Sequence, residues 1–263
     1  MFQHILDNID ALSQNDLEST LRNEIPILGV FALDISPGLY ITRCRQGFQY
    51  PNISDFSYNP KPANEFGRLN YPNQSVFYGT IADSDIISSR YVSALECSSL
   101  LSDGDCCGEE FLSYGLWQNI QQLNCAVILG VNSEYNSALY SDLSEKFSDS
   151  LKAVNQEERK LHIDLNNCLA DIFSKPSSEN IYRFTSAYAN ILFKSGYDAI
   201  IYFSVKTNGQ YGLNIAVKPV VVDSKMQLLK TESCKLMRNG KEAVIKTISH
   251  GAICDKSITY QNI

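Results

Sequence analysis

A chain of 263 residues and 29.5 kDa, 44% hydrophobic and 19% charged, has the make-up of a globular protein with a well-buried core rather than a disordered or low-complexity polypeptide. Its 29 acidic and 22 basic residues leave a formal net charge of -7, and the basic ones are scattered. This argues against direct nucleic-acid binding and requires any phosphate-bearing ligand to find arginines concentrated in one cleft. The 8 cysteines form no CxxC pair, so no metal site is expected. With no apolar run of the ~18–20 residues that span a bilayer and no signal-peptide pattern at the start, the expectation is a cytoplasmic protein with free thiols and no membrane partner.

Residues 4–23 place Ile5, Ile9, Leu12, Leu17 and Leu21 close to the helical period, and Pro26 ends the segment, so residues 1–26 are expected to form an N-terminal helical extension. Strands are expected at 27–33 and 39–42, separated by the turn signal Ser36-Pro37-Gly38. Residues 46–73 are rich in Pro, Asn, Tyr and Ser, and their aromatic content predicts an ordered, functional loop. Short β-type runs follow at 75–80 and 90–97, and the continuous apolar run 125–131 suits a buried strand. Between Leu139 and Phe173 apolar residues recur every three or four positions up to Pro176; Ser177-Ser178-Glu179 then opens another helix, which Gly196 closes. The last quarter is strand-like at 199–205, 213–217, 226–229 and 243–248. These elements describe one α+β domain over 1–263, with core blocks at 39–100 and 197–230 and an expanded helical middle at 135–195.

Candidate chemistry begins at LYITRCRQG, where Arg43 and Arg45 lie two apart in a strand and therefore share a face. Two adjacent guanidiniums repel unless an anion sits between them, so the pair is either an anion clamp or part of a solvated edge. In EFGRLNYPNQSVFYGT, Gly67 permits an unusual backbone, Arg68 adds a third cation, and Tyr78 puts a hydroxyl into an apolar strand; the plainer alternative is a turn arginine and a core tyrosine. Glu96, in the apolar run SALEC, faces either solvent or a cleft toward those arginines. Ser204 ends an apolar strand just before a glycine-containing turn, where a strand fixes position and a turn gives access. None of His4, His162 and His250 stands in a serine-hydrolase context, so Ser204 is not expected to be a nucleophile.

Taken together, these segments resemble one family. LYITRCR, FGRLN, SVFYG and ALE stand in the order of the arginine pair, Gly-Arg-x-Asn turn, tyrosine strand and glutamate of the RES domain. Downstream, GYDAIIYFSV followed by YGLNIAVKPVVVD resembles that domain's serine-bearing strand and its Gly-x-Asn-x-Ala continuation, through Gly212, Asn214 and Ala216. The Arg, Glu and Ser that name the family fall on Arg43, Glu96 and Ser204. Two departures stand out: the segment between Tyr78 and Glu96 is longer than in compact members, and the helical middle is expanded. Glu109 and Glu110, which follow the stretch SDGDCCG, are the fallback carboxylates.

The resemblance implies an ADP-ribosyltransferase-like mixed β core flanked by helices. It also implies an enzyme with NAD⁺ as substrate that cleaves the nicotinamide–ribose bond, with inorganic phosphate (NAD⁺ phosphorylase) or water (glycohydrolase) as acceptor. Such a protein would be the toxin of a toxin–antitoxin pair, restrained by a small helix-turn-helix antitoxin. An ADP-ribosyltransferase acting on a protein target, or an inactive nucleotide-binding module, is the alternative. Carried over residue by residue, the catalytic positions are Arg43, Glu96 and Ser204, and the nucleotide-binding ones Arg45, Arg68, Tyr78 and Asn214, with no metal. The residue types suit that chemistry. A carboxylate beside C1 stabilises the positive charge that develops on the ribose, and planar guanidiniums grip pyrophosphate oxygens. Tyr78 would stack on the nicotinamide or its ribose; Ser204 would orient the ribose or a phosphate, or fix the rotamer of Glu96. A corollary is that Arg43, Arg68, Glu96 and Ser204 should converge on one cleft.

Overall fold

Helix starts in the computed structural model, which describes residues 2–25, 30–82, 86–102, 106–130, 138–175, 178–204, 206–207 and 212–263, follow local capping chemistry. The N-terminal segment is two helices, α1 (Gln3–Asn8) and α2 (Gln14–Glu24), rather than the single helix expected over 4–23, because the Ser13 hydroxyl accepts the Asp16 N–H and restarts the helix. Then come β1 (Phe31–Ile35), β2 (Tyr40–Gln46), β3 (Phe77–Ile81), α3 (Ile86–Cys97), α4 (Ser99–Ser102), β4 (Gly108–Asn119) and β5 (Leu123–Val127). The helical middle is α5 (Ala138–Ser150), α6 (Gln156–Ser174) and α7 (Glu179–Lys194), the last two N-capped by Asn155 and Ser178. Gly196, at φ 102, closes α7 as its position suggested. The chain ends with β6 (Ala199–Phe203), β7 (Leu213–Val217), α8 (Pro219–Lys225), β8 (Met226–Asn239), β9 (Glu242–Cys254) and β10 (Ser257–Asn262).

The strands form one 10-stranded mixed sheet in the order β1-β5-β6-β7-β3-β2-β4-β8-β9-β10, with β5 and β6 parallel. Alternate residues of the central strands feed two cores. Val127, Ile201, Phe203, Ile215 and Val217 pack with α5 and α8, whereas Ala126, Ile128, Ile200, Tyr202 and Ala216 pack with α1, α2, α6 and α7. Burial on both faces explains why β5, β6 and β7 read as continuous apolar runs. The α+β class, with a mixed β core flanked by helices and a central helical segment, is therefore as expected.

Several expectations need correction. Residues 90–97 are helical, not a strand: Val92 and Leu95 are buried at helical spacing, and Ser89 and Ser93, one turn apart, bond to Thr42 and the Cys44 N–H of β2. Of the strand expected at 27–33, residues 27–29 lie outside those described, and β1 instead runs Phe31–Ile35. The long strands β8 and β9 overrun the short segments expected within them. Strands β4 and β10 and helix α8 were not anticipated.

Candidate active site

A cavity opens where the sheet splits. Strand β2 pairs with β3 only at Ile41↔Ile81 and Thr42↔Thr80, with one further bond from Ala82 N to Tyr40 O, whereas β2 continues against β4 as far as Gln46↔Leu112. Beyond Thr42 the two strands diverge, and β3 runs on paired to β7 alone at Phe77, Tyr78 and Gly79. The resulting cavity of about 640 Å³ draws side chains from both strands and from the helix end laid across the gap.

Arg43 and Arg45 enter it from β2, on one face of the strand as their spacing required. The Arg43 guanidinium spans the split, donating to the Tyr78 carbonyl and lying 5.1 Å over the Phe77 ring. Its Nε is buried without a hydrogen-bond partner. Burial, and next the like charge of Arg45, push Arg43 down from the ordinary guanidinium range to about 9. A guanidinium stays charged at neutral pH, so this shift expresses an unmet demand for a counter-charge. Arg45 is lowered as well, first by burial, and donates to the Ser57 carbonyl at 2.7 Å. Among the described residues no carboxylate pairs with Arg43, Arg45 or Arg68.

Arg68 lines the same cavity but is held differently. Its two terminal nitrogens donate to the Phe173 and Lys175 carbonyls at 2.8 and 3.1 Å, tying off the last turn of α6, and its guanidinium lies 5.2 Å over the Tyr182 ring. The turn that carries it is locked to β3: Tyr78 accepts from Leu69 N at 3.0 Å and donates to Asn70 Oδ1 at 2.8 Å. Gly67 serves this turn by close approach rather than by positive φ, because a Cβ there would overlap the Asn70 side chain. The Tyr78 hydroxyl is thus already engaged on both sides, which leaves its ring to face a ligand.

Glu96 is the carboxylate of the cavity, presented from the C-terminal end of α3 rather than from a strand. Its Oε1 accepts from Ser204 Oγ at 2.6 Å and from Asn214 Nδ2 at 2.8 Å; Thr80 Oγ1 donates to Asn214 Oδ1 at 3.0 Å, which sets the amide. Ser204 is wholly buried behind Glu96 and is not itself a wall of the cavity. Its own N–H bonds to the carbonyl of Gly212, a residue at φ 85 whose added Cβ would strike Val92 of α3. The end of β6, the start of β7 and α3 are thereby packed into one support for a single carboxylate.

Of the residues singled out in the sequence, Arg43, Arg45, Arg68, Tyr78, Glu96 and Asn214 line this one cavity, and Ser204 stands one hydrogen bond away. Glu109 and Glu110 lie outside it. Both are on β4, where Glu109 pairs with Lys235 at 2.7 Å and Glu110 accepts from Gln46 at 2.8 Å and from Ser98. Sequence reasoning missed Tyr50, Asn59, Cys97, Tyr182 and Tyr202, which complete the walls. Only Tyr202, a hydroxyl within the apolar run AIIYF, gave a signal of the kind that marked Tyr78.

No protein-family model matches the chain, and no curated protein matches it. Among solved structures, a chain in the crystal structure of the M. tuberculosis MbcT–MbcA toxin–antitoxin complex is 8% identical, aligning over 84% of this chain and 93% of that one at a TM-score of 0.36. So loose a likeness carries no argument about fold or function.

Proposed function

We propose that this protein is an NAD⁺-consuming enzyme of the RES type that cleaves the nicotinamide–ribose bond, with phosphate or water as acceptor. Support comes from the two motif blocks and, above all, from one observation. A single carboxylate, held by two neutral donors, shares a cavity with three guanidiniums that have no carboxylate partner among the described residues.

Such a site suits a dinucleotide. The arginines bind the pyrophosphate, with Arg43 and Arg45 gaining the counter-charge they lack, and Tyr78 or Tyr182 offers a ring for stacking. As the C1–N bond breaks, its electron pair goes to the pyridinium nitrogen, so nicotinamide leaves neutral and needs no general acid; the absence of histidine from the cavity lining is no obstacle. The ribose is left cationic, and Glu96 stabilises it. A phosphate dianion then attacks C1 without a base, whereas an attacking water gives its proton to Glu96.

The deciding measurement is nicotinamide release by wild type and Glu96→Gln, in phosphate and in phosphate-free buffer. Loss of electrostatic stabilisation should lower the rate roughly 10²–10³-fold. Equal rates, or no release by folded wild type in either buffer, would defeat the reading. In the same proposal the chain is a cytoplasmic toxin restrained by a small helix-turn-helix antitoxin, a part that rests on the sequence resemblance. Growth arrest on expression of wild type but not of Glu96→Gln tests it.

A further inference from the structure

Two buried threonines face each other on the last rung that joins β2 to β3, Thr42↔Thr80. Thr42 Oγ1 bonds to Ser89 Oγ of α3 at 2.9 Å. Thr80 turns instead to its other neighbouring strand, β7, where it pairs with Asn214 and its Oγ1 donates to Asn214 Oδ1 at 3.0 Å. Asn214 Nδ2 in turn donates to Glu96 Oε1 at 2.8 Å, so both threonines connect to α3, one directly and one through an amide. The polarity of the second connection is set from its far end. A carboxylate only accepts, so the Asn214 amide must present its NH₂ to Glu96 and its carbonyl to Thr80, and the Thr80 hydroxyl, able to act either way, must donate. Asn214 is 5% exposed, which leaves little solvent at hand to replace a lost partner.

We propose that Thr80 is a positioning residue for the Glu96 carboxylate and acts through the Asn214 amide. It keeps the amide from turning over, which would set a carbonyl oxygen against a carboxylate oxygen. By donating to Oδ1 it also polarises the amide and strengthens the bond from Nδ2. The branched Cβ restricts the hydroxyl rotamer, and the backbone around it is laddered to β2 on one side and β7 on the other. The amide is thus aimed from the rigid rung at which the split begins, while Ser204 reaches the same oxygen from the end of β6.

This role rests on the reaction proposed for Glu96, so it is read both with turnover and without it. Thr80→Val keeps the side-chain shape and removes the hydroxyl. In nicotinamide release by the full chain it should lower kcat about three- to tenfold, as expected for one neutral hydrogen bond, with KM unchanged, and Thr80→Ser should restore most of the loss. In an Asn214→Ala background Thr80→Val should add no further loss, because no amide is left to aim. A loss of the same size in both backgrounds overturns the proposal, and so does kcat left unchanged by Thr80→Val. Without turnover, the Asn214 side-chain NH₂ resonances of isotope-labelled protein, assigned by their disappearance in Asn214→Ala, should move toward those of free amides in Thr80→Val and return in Thr80→Ser. Resonances that stay in place overturn the proposal. A wild type that releases no nicotinamide counts against the reaction alone, and the spectrum still decides the role of Thr80.

Discussion

Ser204 donates to Glu96 Oε1 at 2.6 Å across 108 positions of sequence, and it does so from complete burial. A hydroxyl so placed cannot meet a ligand first; it acts on the carboxylate. Ser204→Ala should therefore lower kcat for nicotinamide release about tenfold or more, since a hydrogen bond to a charged group is worth roughly 1.5–3 kcal/mol, with little change in KM. Asn214→Ala should behave alike, and the double variant should lose less than the product of the two effects because both hold the same oxygen. A raised KM with kcat intact would show instead that Ser204 touches the substrate.

Arg43 carries the clearest electrostatic debt in the molecule. Burial, and next the like charge of Arg45, lower its pKa, which expresses what an uncompensated charge costs the folded state. An anion in the cavity removes the debt. Pyrophosphate or ADP-ribose should raise Tm at neutral pH, by an amount equivalent to about 2.7 kcal/mol at a hundredfold excess over Kd. Arg43→Met should be at least as stable as wild type without ligand and should lose the shift; thermal scans with and without the anion check both.

Arg68 differs from Arg43 because its fork already serves two carbonyls at the end of α6. Arg68→Ala should cost stability as well as activity, on the order of 1–3 kcal/mol for carbonyls left without their donor, seen as an earlier urea midpoint. Arg68→Lys should restore little, since an ammonium cannot reproduce the fork. Unchanged stability would mean that the guanidinium is free to serve a ligand.

Glu18 of α2 is buried and accepts from Tyr71 Oη at 2.8 Å, Asn190 at 2.6 Å and Lys194 at 3.0 Å, so the N-terminal helices grip the loop that carries Arg68. Burial pushes its carboxyl up, but the bonds from Lys194, Asn190 and Tyr71 outweigh it and the net direction is down from 4.5. The stabilisation is then complete above 4.5 and is lost as pH falls through the lowered folded value. Glu18→Gln should be less stable at neutral pH by about 1–2 kcal/mol, with the gap to wild type closing in acid. Denaturant curves across that range test it.

How much of this was legible in the sequence depended on whether one residue's neighbours along the chain were also its neighbours in space. The apolar runs of β5, β6 and β7 announce buried strands because both faces are covered. Helix α3 was misread because Tyr91 and Val92 favour strands, and its helical face is marked by Ser89 and Ser93, whose partners Thr42 and Cys44 lie on β2. Strand β4 escaped notice because Gly108, Gly115 and two glutamates dilute its pattern. At the site, Arg43, Glu96 and Ser204 could be singled out as polar groups in apolar surroundings. Tyr50 and Tyr182 could not, since only the long loop and α7 packing against β6 bring them to the cavity.

The split between β2 and β3 also has a mechanical meaning. Strands β1, β5, β6, β7 and β3 form one leaf and β2, β4, β8, β9 and β10 the other, and across the crease the ladder supplies only the pairs at Ile41 and Thr42 and the bond to Tyr40. Arg43 and Arg45 belong to one leaf, Tyr78, Tyr202 and Asn214 to the other. The Arg43 guanidinium and helix α3, which packs on both β2 and β3, already tie the leaves together, and a ligand in the crease would add one more tie between them.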